Sequence, residues 1–176
     1  MDIAPAHSAE TDMSGDTAAR IAAFLDAHHV MSLATCAANG PHAANLLYAR
    51  DGFALLWVSD PRTRHSMEIE TNPRVAATVA PDYCDFDEIC GVQISGDAHR
   101  VAHASERHLT RTLLEARYPS LKRLFDRPTV KQAYESAELY RLVPRRMVII
   151  DNKRGFGHKD TLEFEAFDAR RTAPDP

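Results

Sequence analysis

The residues best placed to do chemistry in this chain lie in one short run, Asp60-Pro61-Arg62-Thr63-Arg64-His65-Ser66. Asp60 can cap a helix, and Pro61 can take its first position, where the N–H that proline lacks would have had no partner. A helix start offers free N–H groups and about half a positive charge, which suits a phosphate or another small anion. Arg62, Thr63, Arg64, His65 and Ser66 would add side-chain donors. Charge-assisted hydrogen bonds contribute about 1.5–3 kcal/mol each, against about 0.3–1 kcal/mol from the dipole at an exposed site, so the side chains would dominate. Cations at the positive end of a helix oppose its dipole. A bound anion would explain them; a merely solvated face is the alternative.

A second unusual stretch is Asp151-Asn152-Lys153-Arg154-Gly155-Phe156-Gly157-His158-Lys159. Two glycines around an aromatic permit a tight backbone path, and the flanking cations could meet an anion. A glycine-rich surface loop is the equal alternative. The nine histidines raise the question of imidazole ligation to a metal or haem. No His-Glu-x-x-His, paired Cys-x-x-Cys, P-loop or Gly-x-Ser-x-Gly elbow is present, and no metal site is expected.

These residues must be positioned by the elements around them. Asp16 is placed to cap a helix whose Ile21, Phe24, Leu25 and Val30 recur at helical spacing. Val30 to Cys36 is β-rich, Asn39-Gly40-Pro41 is a turn signal, and Pro41 to Ala49 can return as a strand. Asp51-Gly52 then leads into the apolar run Phe53 to Val58, so the pattern predicts a three-stranded meander. The helix that opens at Asp60 should stop before Asn72-Pro73, because proline disfavours helical geometry in the preceding residue. Arg74 to Ala80 is a further strand. Gly91 to Val101 alternates strictly, with Val92, Ile94, Gly96 and Ala98 on one face and Gln93, Ser95, Asp97 and His99 on the other. Ala104 to Tyr118 reads as a helix, Leu121 to Ala137 as helical pieces broken at Pro128, and Tyr140 to Ile150 as a long strand with a bulge or edge position at Pro144. Six strands with short turns suit a mainly β, antiparallel barrel with flanking helices.

The chain has 176 residues, close to the size of one domain. That domain is expected over residues 16–167, with polar, fraying tails at 1–15 and 168–176. A net charge of −4 does not suit a protein built to neutralise nucleic-acid phosphates. No membrane-length apolar run and no signal-peptide layout is visible, so a cytoplasmic protein is expected. Cys36, Cys84 and Cys90 are expected to be buried free thiols.

The order of elements from about Ala18 to Val101 resembles the FMN-binding split-barrel superfamily that includes the pyridoxamine 5′-phosphate oxidases. The likeness rests on the Phe53 to Ser59 strand, then Thr63-Arg64-His65 opening a helix that closes on Asn72-Pro73-Arg74-Val75. The resemblance implies a six-stranded antiparallel split β-barrel and a homodimer with FMN in the grooves between barrels. NADH or NADPH is the implied electron donor and a small molecule the substrate. It places Trp57, Val58 and Ser59 beside the flavin, a Ser/Thr-Arg-Lys triplet at Thr63, Arg64 and His65 around the phosphate, and a strand glutamine at Gln93; core packing is the alternative for the Trp57 indole and the commoner fate of a single tryptophan. His65 stands where lysine is usual, so its contact would depend on pH. Lys159 could supply the missing cation, in a tail that looks like a little-characterised bacterial branch. Ala44-Asn45-Leu46-Leu47-Tyr48 lacks the family's basic strand residue, and the closing Trp- and Arg-bearing substrate motif is absent. Pyridoxamine 5′-phosphate oxidation itself is therefore not expected. The implied function is a flavin-dependent oxidoreductase; the alternative is a non-catalytic cofactor-binding or sensing protein that holds flavin, a deazaflavin or haem.

Overall fold

The computed structural model describes residues 7–121 and 126–165. The expected C-terminal tail, residues 1–6 of the expected N-terminal tail and residues 122–125 of the Leu121 to Ala137 segment lie outside the described residues. In chain order the elements are α1 (His7–Ala27), β1 (Val30–Ala37), β2 (Gly40–Leu47), β3 (Ala49–Asp51), β4 (Ala54–Ser59), α2 (Arg64–Thr71), β5 (Arg74–Val79), β6 (Cys90–Arg100), α3 (Ala104–Arg117), α4 (Pro128–Ser136), β7 (Glu138–Asp151) and β8 (Lys159–Glu163).

Period-two alternation builds the sheet. In β6 it buries Val92, Ile94, Gly96 and Ala98 and turns Gln93, Ser95 and His99 outward, as the pattern predicts. All pairings are antiparallel, in the order β2-β1-β5-β6-β7-β4-β3, with β8 also on β7. Strand β7 is where the sheet divides. One edge pairs with β6 along its length, while the other gives Glu138 to Leu142 to β4 and Arg146 to Ile150 to β8. Between those halves lies Pro144, which has no N–H to offer a ladder. Ser95 pairs Arg146 but Gly96 pairs Pro144, so Arg145 is an extra residue and the strand bulges there. A Cβ on Gly96 would lie 2.2 Å from the Val143 carbonyl oxygen, so only glycine lets the two strands meet at the bend. The sheet thus curls into a half-barrel, flanked by four helices among the described residues.

Ile21 and Leu25 of α1 enter one core with Met31, Leu33, Tyr48, Leu55, Trp57, Val92, Ile94, Met147 and Ile149. Arg20 fastens α1 to the sheet through Asp160 at 2.6 Å and Asp151 at 3.1 Å. From α3, Arg117 donates to the carbonyls of Leu25, Asp26 and His28, satisfying acceptors that the end of α1 leaves open.

The antiparallel split-barrel expectation holds, the described sheet counting eight strands because β3 is separate from β2 and β8 is added after the glycine-rich loop. Three expectations are corrected. Helix α1 begins by His7, and Asp16 lies inside it rather than capping it. The meander does not form: β1–β2 and β3–β4 are hairpins, but β4 docks on β7. Tyr48 makes the break, since its buried O–H donates to Leu25 O at 2.7 Å and its N–H to His29 O at 3.3 Å, drawing the chain off β2. Finally, the three cysteines are free, but Cys36 and Cys84 are exposed and Cys90 is half-buried.

Candidate functional site

Strand β4 is buried from Ala54 to Trp57 and surfaces at Val58 and Ser59. The chain then turns, closed by Thr63 N–H donating to Asp60 O at 3.0 Å. The Asp60 carboxylate accepts from the Arg62 N–H at 2.8 Å and from the Arg62 guanidinium at 2.6 Å. Those bonds hold the Asp60 carboxyl down at about 2. Asp60 is therefore occupied within its own turn. Helix α2 starts at Arg64 with Thr63 as N-cap, not at Asp60-Pro61 as expected. Its end before Asn72-Pro73 agrees with the sequence, the Asn72 N–H closing on Glu68 O at 2.8 Å.

Where β4 meets α2, four polar side chains converge. Ser59 Oγ lies 2.8 Å from His65 Nε2 and 3.2 Å from Thr63 Oγ1, and Thr63 Oγ1 lies 3.1 Å from the same imidazole nitrogen. Thr63 can donate to Asp60 O at 2.9 Å or to Ser66 Oγ at 2.8 Å, though its single proton serves one of them at a time. Ser66 is fully buried and also bonds the phenol of Tyr140, whose pKa burial raises and that bond partly restores. His65 is buried, and its pKa is lowered first by that burial and then by His42, whose ring stacks on it at 6.5 Å; Glu68 opposes both. The fold thus favours the neutral imidazole.

One turn along, Glu68 is buried and doubly held. Thr35 Oγ1 on β1 donates to Oε2 at 2.5 Å, and Arg64 Nε donates to Oε1 at 2.7 Å. These two bonds lower its pKa, Thr35 the more strongly. Arg64 reaches on to Gly40 O at 3.2 Å, at the start of β2. In the fold Arg62 pairs with Asp60 and Arg64 with Glu68, so both guanidinium charges of the expected cationic run are matched by carboxylates of the same segment.

Of the residues expected at the site, Ser59, Thr63 and His65 come together, while the Arg64 side chain, next to them in sequence, turns to Glu68 and the Gly40 carbonyl. Val58 and Ser59 also line a neighbouring cleft of about 580 Å³, with Asp60 and Arg62 beside them and Val130 and Ala133 of α4 opposite. Trp57 does not line it. Its side chain is 0% exposed, stacks on Tyr140 at 5.5 Å, and sits in the core with its indole N–H unpartnered among the described residues. Gln93 is not brought to the cluster either. It pairs Thr78, which pairs Ser32, and this row faces outward, whereas Thr35 faces inward, toward Glu68. Lys159 pairs Ile150 near the far end of β7, while Ser59 pairs Glu138 at its start. Twelve residue steps along the strand part those two β7 positions, a path of about 40 Å, so Lys159 does not replace a lysine at position 65 within one chain. The residues that the sequence reading passed over are Thr35, His42, Glu68 and Tyr140. Glu68 was readable as an acid four residues after Arg64; the others are brought in by strand register alone.

A half-barrel of this topology with a polar junction at the β4–α2 turn defines the split-barrel class. Residues 17–141 match the pyridoxamine 5′-phosphate oxidase family, and the chain belongs to it. A UPF0306 protein of Yersinia pseudotuberculosis is 31% identical over 140 residues, covering 77% of this chain and 86% of that one. Among solved structures, the conserved hypothetical protein Rv2991 of Mycobacterium tuberculosis aligns with TM-score 0.65 and 23% identity over 86% of this chain and 93% of that one. A heme binding protein of Mycobacterium smegmatis aligns with TM-score 0.65 and 19% identity over 92% of this chain and 60% of that one. No group of three or more metal-ligating side chains occurs among the described residues, and no helix among them is long and apolar enough to cross a membrane.

Proposed function

We propose that the chain binds FMN, with the flavin phosphate at the Ser59, Thr63, Arg64 and His65 cluster, and acts as an oxidoreductase on a small substrate. The observation that carries this reading is the convergence of Ser59 Oγ, Thr63 Oγ1 and His65 Nε2 within 3.2 Å at the start of α2, in a chain whose residues 17–141 match the pyridoxamine 5′-phosphate oxidase family. The donor set fits a phosphate. Hydroxyl rotors can turn outward, the first N–H groups of a helix lack intrahelical acceptors, and an imidazole can take a proton as an anion arrives.

When bound, FMN supplies the redox chemistry. Ser59 and Thr63 orient the phosphate, His65 donates through Nε2 once protonated, and Arg64 adds a planar pair of donors. The cleft beside Val58 and Ser59 has the volume of a small-molecule site and is the place for the substrate. NADH or NADPH serves as donor. Gln93 and Lys159, on the outer face, act on cofactor held by a second copy, and the working form is a homodimer. Exposed Val30 and Leu47 on the outer face of β1 and β2 support that assembly.

A second reading, a non-catalytic haem-holding protein, is favoured by the heme binding protein of M. smegmatis among the structural neighbours. The visible spectrum of purified protein, after FMN is added and the excess removed, separates them. Two flavin bands that bleach with NADH or NADPH are expected. A lone Soret band in protein purified without FMN favours haem, and absence of any retained flavin refutes the FMN reading.

A further inference from the structure

Arg64 enters the site with its charge already engaged. Its partner Glu68 is the fixed member of the pair, 8% exposed and anchored by Thr35 from another element, whereas the Arg64 side chain is 44% exposed. Beyond Glu68 the guanidinium holds, among the described residues, the carbonyls that open β2, at 3.2 Å to Gly40 O and 3.5 Å to Pro41 O. Arg62 is spent on Asp60 and burial favours the neutral form of His65, so the half-exposed Arg64 is the charge of this helix start that an anion at the cluster could recruit without uptake of a proton.

We propose that Glu68 is a built-in competitor for Arg64: a phosphate settles on the Ser59, Thr63 and His65 cluster by drawing the guanidinium away from the Thr35-anchored carboxylate. The proposal rests on the phosphate-binding reading above. It makes Glu68 a positioning residue that sets the affinity threshold of the site without touching the ligand. The direction of movement follows from the anchoring. Thr35 and burial keep the carboxylate where it is, and a half-exposed arginine at the first position of a helix can swing by rotamer change alone. A phosphate can win because guanidinium–phosphate contacts are bidentate, whereas Glu68 takes a single bond from Nε.

The test compares FMN with riboflavin, which is the same flavin without the phosphate, by fluorescence titration on the full chain. In Glu68→Gln the amide oxygen can still accept from Thr35, and the amide N–H₂ then faces the Arg64 donor and repels it. FMN affinity is expected to rise about tenfold, the worth of one charge-assisted hydrogen bond, with riboflavin affinity unchanged. Adding Arg64→Ala should abolish the gain. Thr35→Val provides a second variant that does not depend on how Glu68→Gln folds. It leaves Arg64 as the carboxylate's main partner, and the FMN-to-riboflavin affinity ratio should fall about threefold. Wild-type binding of FMN with no change of that ratio in either variant overturns the competition and leaves the phosphate cradle standing. FMN binding by Glu68→Gln alone supports the competition in its strongest form. No FMN binding by the wild type or by Glu68→Gln overturns the cradle and the competition together.

Discussion

Ser59 Oγ stands 2.8 Å from His65 Nε2, so the last residue of β4 is tied to the second residue of α2 by a hydroxyl–imidazole bond. The strand that buries Trp57 and the helix that buries Glu68 are locked at one point, and that point is the candidate phosphate site.

The first expectation concerns pH. His65 has its pKa lowered in the fold, chiefly by burial, so the folded state prefers the neutral imidazole and the unfolded state takes the proton more readily. The contribution is present above the unfolded value of about 6.5 and is lost as pH falls toward the lowered folded value. Thermal midpoints should therefore decline between about pH 7 and pH 5, above the range in which Glu68 and Asp60 titrate. A His65→Asn variant should show a flatter profile over the same window, and an equal slope in both proteins would remove His65 as the cause.

FMN binding should show the opposite sign. A phosphate beside His65 favours the imidazolium, so affinity should strengthen as pH falls from about 8 to about 6, before protonation of the phosphate itself intervenes. Riboflavin, with no phosphate, should show no such trend. Titrations at three pH values check it, and parallel behaviour of the two flavins would take His65 out of the ligand contact.

Much of this site is legible in the amino-acid sequence. Thr63, Arg64 and His65 were legible as a helix start because Asn72-Pro73 marks its end and an apolar strand precedes it. The charge state was not. That Arg64 meets Glu68 is a helical spacing, but that Glu68 is buried depends on Thr35, which register brings in from β1. Likewise the alternation in β6 told which face Gln93 takes but not that α2 lies on the other one. Trp57 shows the same limit. A strand buried on both faces reads as a continuous apolar run, and periodicity then says nothing about which side chain meets ligand and which meets core.

Gly96→Ala should be among the most damaging small substitutions outside the site. The added Cβ would sit 2.2 Å from the Val143 carbonyl oxygen and 2.9 Å from Pro144 Cα, both backbone atoms that cannot rotate away. Relief requires opening the β6–β7 bulge, at a cost of about 3 kcal/mol, read from urea denaturation. A loss under about 0.5 kcal/mol would mean that the bulge tolerates movement and does not set the curl of the sheet.

Trp57→Phe separates a core role from a ligand role for the indole. The ring is fully buried against Tyr140 and its N–H has no partner among the described residues. Phenylalanine removes an unsatisfied donor, a gain, and leaves a small void, a loss, so the two should nearly cancel to within about 1 kcal/mol. Trp57→Ala deletes the whole ring and should cost about 3–5 kcal/mol. Because the side chain faces the core, FMN affinity in Trp57→Phe should match that of the wild type. A fall of more than about fivefold at unchanged stability would instead place the indole against the flavin, since a lost aromatic contact with a ligand ring is worth about 1 kcal/mol.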